Sequence, residues 1–222
     1  MSGIDGLHYI ELDFVGAYII ETDTGRVLVD TGIPPLADKV TGEVDRLGGV
    51  DLVILTHSHI DHVGGLPALG DVKVAAHGVD ADLLAQGETS RGLTPSEHCP
   101  PDLREQIKHK PTVDPIHVDV RLNDGDAVPG FPSLTVVHTP GHTAGHISLL
   151  WDNGAGGVLV VGDAAANFGQ VVPPPVAEDF DVTFASLRKL AGLQFEGAVF
   201  GHGPPIASGA SAAFAGFATA TA

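Results

Sequence analysis

Short apolar runs separated by turns fill the first third of the chain. Residues 7–12, 14–21 and 26–30 alternate with Asp13 and with Thr22-Asp23-Thr24-Gly25, the pattern of an antiparallel meander. Pro34-Pro35 then open a segment, 36–47, whose apolar residues at 36, 37, 40, 44 and 47 share one helical face, and Gly48-Gly49 close it. Residues 51–56 form a continuous apolar run of the kind that is buried on both faces of a sheet, and 72–76 form a similar one. A helix is expected near 79–86, followed by a looser stretch with Pro95, Pro100, Pro101 and Pro111, so that 78–115 reads as an insertion or lid. Strand signals resume at 116–122, 134–137, 147–151 and 158–161, with Asn123-Asp124-Gly125 and Asp152-Asn153-Gly154 as turns. A helix at 180–190, a strand at 198–200 and a last helix carrying Ile206, Ala210, Phe214 and Phe217 on one face complete the chain. Strands and helices thus run in two similar series, without a tandem repeat or a linker, and predict one domain over 1–222.

Composition narrows the function classes. With 43% hydrophobic and 18% charged residues among 222, the chain can bury a core. A formal net charge of -17 repels nucleic-acid phosphates and anionic lipid alike, so neither nucleic acid nor membrane is expected as a partner and a small-molecule substrate is. The single cysteine, Cys99, cannot form an internal disulfide, and Met1-Ser2-Gly3-Ile4-Asp5 lacks the basic and apolar regions of a signal peptide, which predicts a cytoplasmic location. Oligomeric state is left open by the sequence.

Where the twelve histidines fall decides the chemistry. In Thr56-His57-Ser58-His59-Ile60-Asp61-His62 two imidazoles two residues apart project to the same side of an extended segment and suit one metal ion. Asp61 and His62 precede Val63-Gly64-Gly65-Leu66-Pro67, where the chain must turn, and suit a second ion beside the first. Three imidazoles and a carboxylate match zinc first, with iron and manganese also accommodated. Further ligands follow apolar strands: His142 in Thr139-Pro-Gly-His-Thr-Ala-Gly-His146, Asp163 in Val160-Val-Gly-Asp163, and His202 in Phe200-Gly-His-Gly203. A carboxylate such as Asp163 can bridge two cations about 3.5 to 4 Å apart, the spacing of two-metal hydrolysis.

His57-Ser-His-Ile-Asp-His62, the Thr-Pro-Gly-His-Thr-Ala-Gly-His segment, Gly162-Asp163 and Gly201-His202-Gly203, in that order, resemble the metallo-β-lactamase-fold hydrolase superfamily over residues from about 10 to 205. The resemblance implies an α+β fold, a four-layer αββα sandwich with the ions between two sheets. It also implies one ion on His57, His59 and His142, another on Asp61, His62 and His202, and Asp163 with a water between them. Two divalent ions, two carboxylates and a hydroxide leave the centre with one positive charge, which favours metal-bound hydroxide attack on a carbonyl and stabilises the oxyanion that forms. Asp61 is further expected to move a proton to the leaving group, as its equivalents do in similar proteins.

Other polar residues carry blander readings. Asp30, in Leu28-Val-Asp-Thr-Gly32, is expected to hydrogen-bond a ligand rather than to bind metal, and His146 to pack beside the site. Six histidines at 8, 77, 98, 109, 117 and 138 read as structural, and Cys99 lacks a Cys-x-x-Cys partner. Departures from the family prune substrates. Twenty residues after His202 are too few for the helical glutathione-binding domain of glyoxalase II, Ala166 stands where many lactonases have tyrosine, and Asp163 stands where the best-known β-lactamases use cysteine. The expected function is therefore hydrolysis of a small ester, thioester or lactone by two divalent ions, with the lid and the loop at 171–175 walling the pocket. The alternative is a mononuclear-iron dioxygenase acting on persulfides in the same fold.

Overall fold

Alternation inside doubly buried strands builds the two inner layers. The structure is a computed structural model and describes residues 3–220; the ends of the expected domain, residues 1–2 and 221–222, lie outside the described residues. The first half of the chain supplies β1 (Leu7–Leu12), β2 (Val15–Thr22), β3 (Gly25–Val29), α1 (Ala37–Leu47), β4 (Leu52–Ile54), α2 (Ile60–Val63), β5 (Val74–His77) and α3 (Gly78–Leu84). The stretch after α3 adds β6 (Thr94–Pro95) and α4 (Pro101–Gln106), and β7 (Val120–Leu122) follows. The second half supplies β8 (Ala127–Val128), β9 (Phe131–His138), β10 (Ile147–Trp151), β11 (Val158–Val160), β12 (Ala166–Asn167), β13 (Val171–Val172), β14 (Val176–Ala177), α5 (Phe180–Ala191), β15 (Gly197–Val199) and α6 (Ala210–Phe214).

One sheet has the order β1-β2-β3-β4-β5-β7 and the other β15-β11-β10-β9-β8. Val27, Val29, Leu52 and Ile54 of the first sheet meet Leu134, Val136, Ile147, Leu149, Val158 and Val160 of the second in a shared core. The intervening residues point outward: Leu28 and Val53 pack with Val40 and Val44 of α1, and Leu159 and Ala198 pack with Leu187 and Leu190 of α5 and Phe214 of α6. Both faces of each sheet are covered, giving the αββα order of layers. The meander, the helix after Pro34-Pro35 and the strand and helix order agree with expectation.

Three boundaries differ for local reasons. Ile206 is not on the last helix: it exchanges backbone hydrogen bonds with Ala198, 2.8 Å each way, and α6 starts after Gly209, whose φ is +68°. The strand expected at 116–122 shortens to Val120–Leu122 because the Ile116 N–H bonds Leu84 O at the end of α3. The strand expected at 134–137 extends back to Phe131, which pairs with Val128. No helix among the described residues is long and apolar enough to cross a membrane.

The outer helical layer depends on one ring. Phe214 is fully buried, its ring 5.4 Å from that of Phe195, 6.2 Å from Phe200 and 6.0 Å from Phe217. Phe214→Ala leaves a cavity there and is expected to cost about 3–5 kcal/mol, read as a lowered urea midpoint at unchanged slope; a loss under 1 kcal/mol would mean that α6 is not docked as described.

Candidate metal centre

Strand direction gathers the polar residues at one rim. β3, β4 and β5 are mutually parallel, and in the second sheet β11 is parallel to β15 and, through β10, to β9. Asp30 follows the end of β3, His57 and His59 follow β4, His142 follows β9, Asp163 follows β11 and His202 follows β15. The two sheets are stapled close by: the Ile147 N–H donates to Thr56 O at 2.9 Å, and the Tyr18 hydroxyl to Phe200 O at 2.7 Å.

After β4 the chain bends at Thr56 and His57, His59 takes an extended backbone at the N-cap of α2, and the single turn of that helix carries Asp61 and His62. That turn, rather than the glycine pair beyond it, re-aims the two side chains. All seven expected residues come together. His57, His59 and His142 form one group; Asp61, His62 and His202 form another; His57, His62 and Asp163 link them, with candidate ligand atoms within 4.8 Å of one another in each group. Asp163 Oδ2 lies 3.1 Å from His202 Nε2, 3.4 Å from His142 Nε2 and 4.0 Å from His57 Nε2, while Oδ1 lies 3.5 Å from His62 Nε2. Asp61 Oδ2 is 3.5 Å from His202 Nε2 and 3.8 Å from His62 Nε2.

Hydrogen-bond partners set the direction of the lone pairs. A carbonyl oxygen only accepts, so His142 donates Nδ1–H to Val176 O at 2.9 Å and His202 donates Nδ1–H to Phe14 O at 2.7 Å, each leaving Nε2 to face the cluster. His62 donates Nδ1–H to Asp30 Oδ2 at 2.8 Å. Thr56 donates its hydroxyl to the same oxygen at 2.8 Å, which leaves its own oxygen to accept from His57 Nδ1 at 3.0 Å. Asp30 therefore contacts both halves, His62 directly and His57 through Thr56, from a left-handed backbone with φ +59°.

The donor set fits cations. His57 Nε2 and His142 Nε2 each approach His59 Nδ1 to 3.0 Å, and one imidazole N–H there could satisfy only one of them. His62 Nε2 and Asp163 Oδ1 are buried without any protein hydrogen-bond partner. A divalent ion in each half would satisfy these atoms with the ligand types that zinc, iron and manganese take. Charge divides the halves. Burial first, and then neighbouring histidines, hold His57 and His59 well below the usual imidazole range; burial also lowers His142. Burial pulls His62 and His202 down too, but Asp163, with Asp30 and Asp61 for His62 and Asp61 for His202, outweighs it: His62 is raised well above its usual value and His202 to about 9. Asp163 itself is driven well below the carboxylate range, because His202 and His62 outweigh the cost of burying it.

Other residues support the cluster without offering it a ligand atom. His146 is not among the clustered ligand atoms; it accepts the Asp163 N–H at Nε2, 2.8 Å, and contacts Thr139 Oγ1 at 2.8 Å through Nδ1. Burial lowers it to about 3, so it stays a neutral acceptor. Gly201 lies so close to Asp163 Oδ1 that any Cβ there would collide with it. Asp80, fully buried at the start of α3, binds the loops on both sides of the site. Its place just beyond β5 was the available clue, since β5 ends at the same rim.

Known proteins bear on this geometry. A family model described as the metallo-beta-lactamase superfamily matches residues 11–202. A probable metallo-hydrolase, YflN, of Bacillus subtilis is 30% identical over 90% of this chain and 85% of its own length. A thioesterase of Emericella nidulans is 30% identical over 89% of this chain, which spans 48% of that protein. Among solved structures, a subclass B3 metallo-beta-lactamase of Bradyrhizobium japonicum superposes with a TM-score of 0.67 at 24% identity, covering 91% of this chain and 76% of the other, a likeness of fold.

Proposed function

Because the chain belongs to the metallo-beta-lactamase superfamily, we propose that it is a hydrolase holding two divalent ions, zinc first, and cleaving a small ester, thioester or lactone. The observation that carries this reading is the pair of three-residue groups around one shared carboxylate, with buried His62 Nε2 and Asp163 Oδ1 left without protein partners. His57, His59 and His142 would hold one ion, Asp61, His62 and His202 the other, and Asp163 both. Ions bound there supply a Lewis acid for the substrate carbonyl and bring the pKa of water toward about 7.

The chain's own residues do the rest. Asp30, Val176 O and Phe14 O hold His62, His142 and His202 in the tautomers that face the ions. Asp61 is the open side of the centre, its side chain 23% exposed beside an equally exposed His202, so it can pass a proton to the departing alcohol or thiol. In the overall step the oxygen of water bonds to the acyl carbon, the C–O or C–S bond breaks, and the leaving group takes a proton. The thioesterase relative supports a thioester among the candidates, and a net charge of -17 disfavours polyanionic substrates. We read 1–222 as one cytoplasmic domain, with 78–115 and the loop at 171–175 walling the pocket.

Zinc-loaded protein assayed on p-nitrophenyl esters, acyl thioesters and lactones tests the proposal, alongside metal analysis and an oxygen electrode. Two ions per chain, hydrolysis without oxygen uptake, and loss of that activity in His59→Ala are expected. A single iron with oxygen consumption would replace the reading by the dioxygenase, and hydrolysis surviving His59→Ala would move the chemistry elsewhere.

A further inference from the structure

The carboxylate of Asp80 touches no ligand ring, yet it accepts from four donors that belong to three separate segments. Oδ2 accepts from the Ser58 N–H at 3.0 Å and from the Thr143 hydroxyl at 2.8 Å. Oδ1 accepts from the Gly145 N–H at 3.1 Å and from Arg91 Nη1 at 2.9 Å. Ser58 stands between His57 and His59, and Thr143 follows His142. One buried carboxylate thus fixes the separation of the two loops that carry the three histidines of one group, while Arg91 supplies the compensating charge from the lid. Arg91 is itself held, by Val79 O at 2.6 Å and by Glu178 at 3.6 Å. Gly145 shows how tight the junction is: a Cβ there would stand 2.5 Å from Asp80 Oδ1 and 2.6 Å from its backbone nitrogen.

Asp30 makes no contact of this kind with the His142 loop; its bonds go to Thr56 and His62. Asp30 thus serves both halves, through Thr56 beside His57 and through His62, whereas among the described residues no hydrogen bond joins Asp80 or its four donors to Asp61, His62 or His202. We infer that Asp80 is a positioning residue that selectively sets the affinity of the His57–His59–His142 half for its ion, by holding the two ligand loops at binding distance before the ion arrives. This rests on the reading of those three histidines as ligands. Preorganisation of this sort acts on affinity because the ion no longer has to order the loops, and removal of partners that orient ligands typically costs about 10- to 100-fold in metal binding.

The test is competition of Zn2+ between a chromophoric chelator and the metal-free protein, for the natural sequence and for Asp80→Asn, Thr143→Val, Thr143→Ser and His59→Ala. Asp80→Asn turns one acceptor oxygen into an NH2 that faces other donors. Thr143→Val removes one hydroxyl at constant shape, and serves if the asparagine variant does not fold. Expected is one ion bound about 10- to 100-fold more weakly in Asp80→Asn and Thr143→Val, the other ion bound as before, and full affinity regained in Thr143→Ser. In a His59→Ala background, which lacks that ion, Asp80→Asn should change nothing further. Unchanged binding of both ions in both variants, or equal weakening of the two, overturns the inference. Two ions still bound by His59→Ala alone would instead sink the ligand assignment, a separate failure.

Discussion

Asp163→Asn will lower kcat/KM for the hydrolysed substrate by at least about 10^3-fold, because several kcal/mol of transition-state stabilisation pass through the pair of ions that this carboxylate joins. Asp163 touches both halves at four rings, standing within 4.0 Å of an Nε2 of His57, His62, His142 and His202. An asparagine keeps the volume but removes the charge, and its NH2 would face imidazole lone pairs or the ions themselves. The same change has a signature in the metal-free protein that activity cannot mimic. Asp163 is the leading cause that raises His202 to about 9 against the pull of burial, so without its charge the His202 titration, followed by NMR, should move down. A variant that kept activity within tenfold, or an unmoved His202, would show that the shared carboxylate is not the joint of the site.

How much of this was legible beforehand depends on what each residue contributes. The ligand cluster and its partners at 142, 163 and 202 could be read because each follows an apolar run, and apolar runs buried on both faces are strands whose carboxyl ends share a rim when they run parallel. The layered fold follows from the same runs, since Leu28 and Leu159 can be apolar between inward-facing valines only if a helix covers the other face. Contributions made by backbone atoms were not legible. Phe14 orients His202 through a carbonyl 188 positions away, and any residue there presents the same oxygen. Asp80 stands within no motif of the sequence; the fold brings Ser58, Thr143 and Gly145 to it from segments 22 and more than 60 positions away. Ile206 kept helical spacing with Ala210 and Phe214, but pairing with Ala198 satisfies its backbone and its side chain at once.

The unequal charge of the two halves leads to unequal loading with pH. Burial leaves His57, His59 and His142 below the usual imidazole range, so above about pH 6.5 an ion arriving there displaces no proton and its affinity should be nearly flat. At Asp61, His62 and His202 the ion must expel protons held by Asp163 and its companions. With His202 raised to about 9 and His62 also raised, affinity should climb about tenfold per pH unit for each proton displaced, and level off once pH passes the raised values. The direction is fixed: lower pH protonates the ligands and weakens this half, whereas higher pH frees them. Chelator competition with Zn2+ at pH 6, 7.5 and 9 should find one tightly bound ion at the lowest pH and two at the highest. Calorimetry in buffers of different ionisation enthalpy should find protons released with the second ion only. Equal pH slopes for both ions would mean that the carboxylates do not hold protons on His62 and His202. The electrostatic division of the centre into a neutral half and a charged half would then be wrong, even if both ions bind where their ligands stand.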